Sequence, residues 1–129
     1  INDLKNIGLF PESSARIISR CKENLDDIIQ SIAARNIPVM VLTIFPTGKP
    51  NIIRSLIWSE EIDAAVVKVN NFLKANSGKR IHVMDVNPIL GHNRYVRAEL
   101  KRDMLHINKK GYQRLNEFLE PQLLQALTR

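Results

Sequence analysis

One cysteine, Cys21, stands in 129 residues, so the chain has no internal disulfide and no second thiol with which to build a cysteine-based metal site. Aromatic side chains are also scarce, with one Trp, two Tyr and four Phe, too few to interleave with the basic residues as a ladder for stacking bases. Nowhere do apolar residues continue for the eighteen or so positions that a membrane-spanning helix needs. The opening Ile1-Asn2-Asp3-Leu4-Lys5 lacks the basic start and apolar middle of a secretory signal. An initiator Met is missing too, which marks either a processed chain or a segment of a longer polypeptide. No His-x3-His pair or carboxylate cluster has ligand spacing, and Asp3 and Asp85 set beside His106 do not make one. Neither a metal nor a cofactor is expected.

What remains is the composition of an ordinary folded domain, 44% apolar and 25% charged, in a chain of one-domain length. The net charge of +6 raises the possibility of an acidic partner. The basic residues are spread along the whole chain, however, and even Arg94, Arg97, Lys101 and Arg102 read as a solvated loop before they read as an anion site. No nucleic acid is expected as a partner.

Taken in order, Ile1 to Gly8 reads as a loop. From Glu12 a helix follows, with Ile18, Cys21, Leu25, Ile28, Ile29 and Ile32 on one face. Cys21 therefore reads as core. Asn36 and Pro38 close that helix. Val39 to Phe45 is an apolar run without alternation, the pattern of a strand buried on both faces, and Pro46 to Pro50 forces a loop at its end. Asn51 to Trp58 is ambiguous. A second helix spans Ser59 to Ala75, with Ser59 as its cap and Glu60 and Glu61 in the first turn. Ile81 to Val86 is the second strand, and residues 87 to 105 form a long connection without clear pattern. Lys109 onward is helical, with a kink or break expected near Leu119 because Pro121 removes a backbone donor.

Helices alternating with doubly buried strands imply an α/β protein with a parallel sheet covered on both faces. Two strands do not complete such a sheet. Ligands of these folds sit at the carboxyl ends of the strands, which is where Thr47, Asn87 and the stretch Asp103-Met104-Leu105-His106 belong. An acid three residues before a histidine can hold one imidazole nitrogen and leave the other free as a base. The competing reading makes Asp103 the cap of the last helix and His106 a polar turn residue. His82 reads as a core or edge histidine and His92 as a residue facing water.

Asp103-Met104-Leu105-His106, followed by Ile-Asn-Lys-Lys-Gly-Tyr, resembles the last block of the GDSL-type esterases, also called the SGNH hydrolase family. Asn2-Asp3 resembles the family's Gly-x-Asn-Asp block, and the layout between them agrees, including Asn70 late in a helix and a strand ending in Asp-x-Asn-Pro. The resemblance implies a three-layer α/β/α, flavodoxin-like fold with a parallel sheet, of which residues 1–129 form the carboxyl-terminal part of one domain. It implies His106 and Asp103 as catalytic base and acid, and Asn2 as an oxyanion-hole donor.

Two blocks of the family are absent: the Gly-Asp-Ser that supplies the nucleophile, and the block that supplies an oxyanion-hole Gly. None of Ser13, Ser14, Ser19, Ser31, Ser55, Ser59 or Ser77 stands at a strand-to-turn elbow that exposes a nucleophile. The resemblance thus implies a serine-type ester hydrolase whose nucleophile lies outside this chain, with a small-molecule ester as substrate and the amino-terminal half of the domain as partner. The alternatives are an inactive α/β segment that binds a partner and, more remotely, a basic nucleic-acid-binding module.

Overall fold

A computed structural model describes residues 1–50 and 58–127. The chain divides into two compact units, Ile1–Ile44 with Pro50–Met84, and Phe45–Lys49 with Asp85–Arg129. Among the described residues the sheet content is a two-stranded parallel pair in the first unit and a short antiparallel hairpin in the second, so the protein is α/β with a small parallel sheet.

In the first unit, the start of the chain is not the expected loop. Leu4–Gly8 is a 3-10 helix, and Leu4 and Ile7, three residues apart and hence on one side of a three-residue turn, are both 0% exposed. A 3-10 turn at Pro11–Ser13 leads into α1, Ser14–Ala33. Ile18, Cys21 and Ile29 are buried on α1, with Leu25 and Ile32 packed against the same core. Ile28 is 58% exposed, which corrects the expected stripe: adjacent helical residues point about 100° apart, so Ile28 and Ile29 cannot share a face. Asn36 closes the turn after α1 with a left-handed φ of 63°, a conformation Asn tolerates better than most residues.

Strand β1 is Val39–Leu42 and β2 is Ile81–Met84, paired in parallel with Val39 opposite Ile81. Helix α2, Glu60–Ala75, lies between them in the chain, within the long crossover that parallel strands require. Its buried face carries Ile62, Ala65, Val69 and Leu73. Ser59 occupies the cap position, yet its side chain makes no cap bond. The helix start is favoured instead by Glu60, Glu61 and Asp63 in the first turn, and the Trp58 indole N–H donates to Asp63 at 3.0 Å.

The two edges of β1 differ. Val39 N–H donates to the Arg80 carbonyl and Thr43 N–H to the Met84 carbonyl. Because alternate residues of a strand serve alternate edges, Met40, Leu42 and Ile44 turn their main-chain groups the other way. At Ile44 the buried side chain of Asn70 takes both: its amide oxygen accepts Ile44 N–H at 2.8 Å, and its amide nitrogen donates to the Ile44 carbonyl at 2.7 Å. Met40 and Leu42 have no main-chain partner on that edge among the described residues.

In the second unit, the stretch expected to lack pattern is built of short elements: helix α3, Asn87–Leu90; strands β3, Gly91–His92, and β4, Tyr95–Val96; and a 3-10 turn, Ala98–Leu100. The hairpin turns on Asn93 and Arg94, both at positive φ, as a two-residue turn of the type I′ form requires. The Arg94 guanidinium lies 5.7 Å from the Tyr95 ring centre. Helix α4, Lys109–Leu127, runs through Pro121 rather than breaking there. Proline removes the N–H that would reach the Glu117 carbonyl four residues earlier; beside it the Gln122 side chain donates to the Phe118 carbonyl at 3.0 Å.

Candidate active site

The stretch that joins the Ala98–Leu100 turn to α4 folds back on itself. An antiparallel bridge pairs Lys101 with Ile107, and the His106 carbonyl accepts both Arg102 N–H (2.9 Å) and Asp103 N–H (3.2 Å). Inside this loop Asp103 Oδ1 accepts Leu105 N–H at 2.8 Å and His106 N–H at 3.0 Å. The carboxylate is thus oriented by main chain before it meets the imidazole. His106 Nδ1 lies 2.8 Å from Oδ2 and 2.9 Å from Oδ1 of Asp103. A carboxylate in that position holds a proton on Nδ1 and leaves Nε2 as the unprotonated, basic nitrogen. The side chains are 63% (His106) and 43% (Asp103) exposed, so Nε2 is open to a reacting group.

The Leu105 N–H above all, and then the His106 side chain, hold the Asp103 carboxyl below its ordinary value of 3.8. The unfolded chain takes up this proton near pH 3.8, while the folded chain does so only at lower pH. The resulting stabilisation is present above the unfolded value and is lost as pH falls through the folded one. Carbon-13 NMR titration of the Asp103 carboxyl should give a midpoint below 3.8; a midpoint at or above it contradicts the geometry.

Asp103 does not cap the last helix. Asn108 does, its side-chain oxygen accepting Gly111 N–H at 3.1 Å. Its amide nitrogen meanwhile donates to the carbonyls of Glu99 (2.9 Å) and Lys101 (3.2 Å), and its own N–H donates to the Leu100 carbonyl at 2.8 Å. One residue therefore starts α4 and closes the base of the Asp103–His106 loop. Gly111 is needed beside it, because a Cβ there would lie 2.7 Å from Ile107 Cβ and 3.0 Å from the Leu100 carbonyl oxygen. Asn108→Ala should lower stability by about 1–2 kcal/mol, the usual worth of a helix cap, measured by urea denaturation. The sequence signal was an Asn immediately before a helical pattern.

Asn2 is exposed, just ahead of the Leu4–Gly8 turn in the first unit. Thr47 is buried, and its hydroxyl has no partner among the described residues. The Asn87 side chain donates to Asp85 at 2.8 Å. His92 is exposed in the hairpin, and His82 is half-buried in β2. Cys21 is buried, and burial, followed by the nearby Asp3, pushes its thiol up, the wrong direction for a nucleophile. A cavity of ≈ 300 Å³ in the first unit is lined by Asp3, Asn6, Ile17, Arg20, Cys21 and Asn24.

Ser19 and Ser31 spend their hydroxyls on Glu23 and the Ile28 carbonyl, and Ser77 on the Ile81 carbonyl. Among the described residues no serine hydrogen-bonds His106, and no group of His, Cys, Asp and Glu is placed to hold a metal. Ser55 and the rest of 51–57 lie outside the described residues.

No protein-family model matches the chain, and no curated protein matches it. Among solved structures it is similar in fold, with a TM-score of 0.65 and 22% identity, to a protein from Streptococcus pneumonia provisionally named a platelet activating factor. The match covers 82% of this chain and 51% of that one, so the chain spans about half the length of the solved structure it resembles.

Proposed function

We propose that this chain is the carboxyl-terminal part of an ester hydrolase of the GDSL, or SGNH, type, with a flavodoxin-like three-layer fold in the complete domain. The observation that carries the reading is the Asp103–His106 pair, an imidazole held at Nδ1 by a carboxylate that two main-chain N–H groups orient. In the proposed reaction a serine outside residues 1–129 attacks the ester carbonyl while Nε2 of His106 takes its proton. The tetrahedral intermediate collapses to an acyl-serine, and the imidazolium returns the proton to the departing alcohol. Water, deprotonated by the same nitrogen, then releases the acid and restores the serine. Asp103 keeps the imidazole in the productive tautomer and offsets its charge during each transfer. Asn2 is the proposed donor to the oxyanion, a role worth about 2.7–4 kcal/mol of barrier where it has been measured.

Two further observations agree. The outer edge of β1 presents main-chain groups of Met40 and Leu42 that have no partner among the described residues, with no charged residue between Val39 and Phe45, and natural sheets guard or cover such an edge. A further strand from the rest of the domain would cover it. The solved neighbour of similar fold is named for platelet activating factor, a name that accords with a hydrolase reading.

The test joins the chain to the proposed amino-terminal half of the domain, whether that half comes from the same chain or another. With a short-chain aryl ester, residues 1–129 alone should give no turnover above buffer, and the joined domain should turn over. A joined domain that folds and leaves the ester intact contradicts the proposal.

A further inference from the structure

We infer that Gly48 is the positioning residue of the Asp103–His106 pair, holding by its main chain, and admitting by its lack of a side chain, the peptide that orients the acid. The inference gives the pair its support and rests on reading that pair as catalytic. Its geometry lies wholly within the second unit.

The peptide unit between Met104 and Leu105 is engaged at both ends. Its N–H, on Leu105, donates to Asp103 Oδ1 at 2.8 Å. Its carbonyl, on Met104, accepts Gly48 N–H at 2.7 Å. In a trans peptide these two groups point in opposite directions, so Gly48 pulls on one side of the plane and Asp103 on the other. Tilting that plane takes the N–H away from the carboxylate. Most of the other main-chain bonds of the loop are internal, from Arg102 and Asp103 to the His106 carbonyl and from Leu105 and His106 to Asp103. The link to Gly48 instead ties it to a segment more than fifty positions earlier in the sequence. That segment is itself fastened, since the Thr47 carbonyl accepts Val96 N–H at 2.8 Å. Residues 47–48 therefore stitch the β3–β4 hairpin to the loop carrying the acid.

Gly48 is buried, and no larger residue fits without displacing this loop. A Cβ would stand 2.5 Å from Lys101 Cδ, 3.1 Å from the Asp103 carbonyl oxygen and 3.2 Å from Met104 Cα. The lysine side chain can swing aside. The other two atoms are main chain of the loop itself, so an alanine displaces the residues whose placement the pair depends on.

The experiment reads the pair directly, by nitrogen-15 NMR of the His106 ring and carbon-13 NMR of the Asp103 carboxyl in the full chain. In the unsubstituted chain the Nδ1-protonated tautomer should predominate once the imidazole is neutral. In Gly48→Ala the share of that tautomer should fall and the Asp103 midpoint should rise toward 3.8, while the amide signals of α1 and α2 stay in place. A folded Gly48→Ala chain with both readouts unchanged overturns the inference. Should that variant not fold, replacing the Thr47–Gly48 amide by an ester removes the Gly48 N–H without adding an atom to the cavity, and the same two readouts decide in the same way. Activity enters neither measurement. A pair that responds as expected in a domain that hydrolyses no ester leaves the role of Gly48 standing and removes the enzymatic reading, and the converse result does the reverse.

Discussion

Replacing His106 by Ala in the complete domain should reduce kcat for ester hydrolysis by a factor on the order of 10⁶, because members of a serine-histidine-acid triad act as a unit and loss of the base leaves only binding and oxyanion stabilisation. Asp103→Asn should cost less, about 10⁴, since an amide at that position keeps the geometry but favours the wrong imidazole tautomer. KM should move little in either variant, the lost interactions being made mainly in the transition state. The exposure of both side chains makes a folding defect a poor explanation of such losses, and an unchanged melting curve checks this. Steady-state kinetics on the joined domain give the answer; His106→Ala with undiminished turnover removes His106 from the mechanism.

The largest expected effect on stability lies at Asn70. Asn70→Ala strips both partners from Ile44, leaving its N–H and carbonyl unpaired where the side-chain amide had matched them at 2.8 and 2.7 Å. The site is 6% exposed at Asn70, so water only partly replaces what is lost. A buried group left without its partner costs about 1–3 kcal/mol, and with two such groups softened by partial hydration the expected loss is about 2–4 kcal/mol in urea denaturation. The exposed neighbour is the control: Asn71→Ala should change stability by less than about 0.5 kcal/mol. Equal effects at the two positions would remove the special role given to Asn70.

Several features of the fold were legible in the residues, and the reasons differ from element to element. The unbroken apolar run from Val39 announced a strand, observed as Val39–Leu42 and half-buried beyond Val39 rather than covered on both faces, and its parallel pairing with Ile81–Met84 follows from the intervening helix. Helix α1 was legible both as an element and in five of its six expected core positions; Ile28 is the exception, because Ile28 and Ile29 are equally apolar and only the helical angle separates them. Leu4 and Ile7 were hidden by turn-forming neighbours, a single 3-10 turn being too short to show periodicity. The hairpin escaped notice because Asn93 is followed by Arg94 where glycine usually signals such a turn.

At the candidate site the sequence carried the acid, the histidine and their spacing, since three residues of separation fix a local contact. What it could not carry were contacts between distant segments. Gly48 lies far from Asp103 in the chain, and nothing in Pro46-Thr47-Gly48-Lys49-Pro50 points to the loop it holds. Asn108 stands where a cap residue is expected, immediately before the helical pattern, and it rather than Asp103 makes the cap; the acid and histidine beside it carry the more conspicuous signal.

In the proposed mechanism Asp103 and His106 activate a serine that lies outside residues 1–129. A fluorophosphonate, which bonds covalently to an activated serine oxygen, tests it most directly when applied to the joined domain and followed by mass mapping of the adduct. A single adduct is expected on a serine outside residues 1–129, lost in His106→Ala. An adduct on a serine within residues 1–129, or labelling that persists without His106, contradicts it.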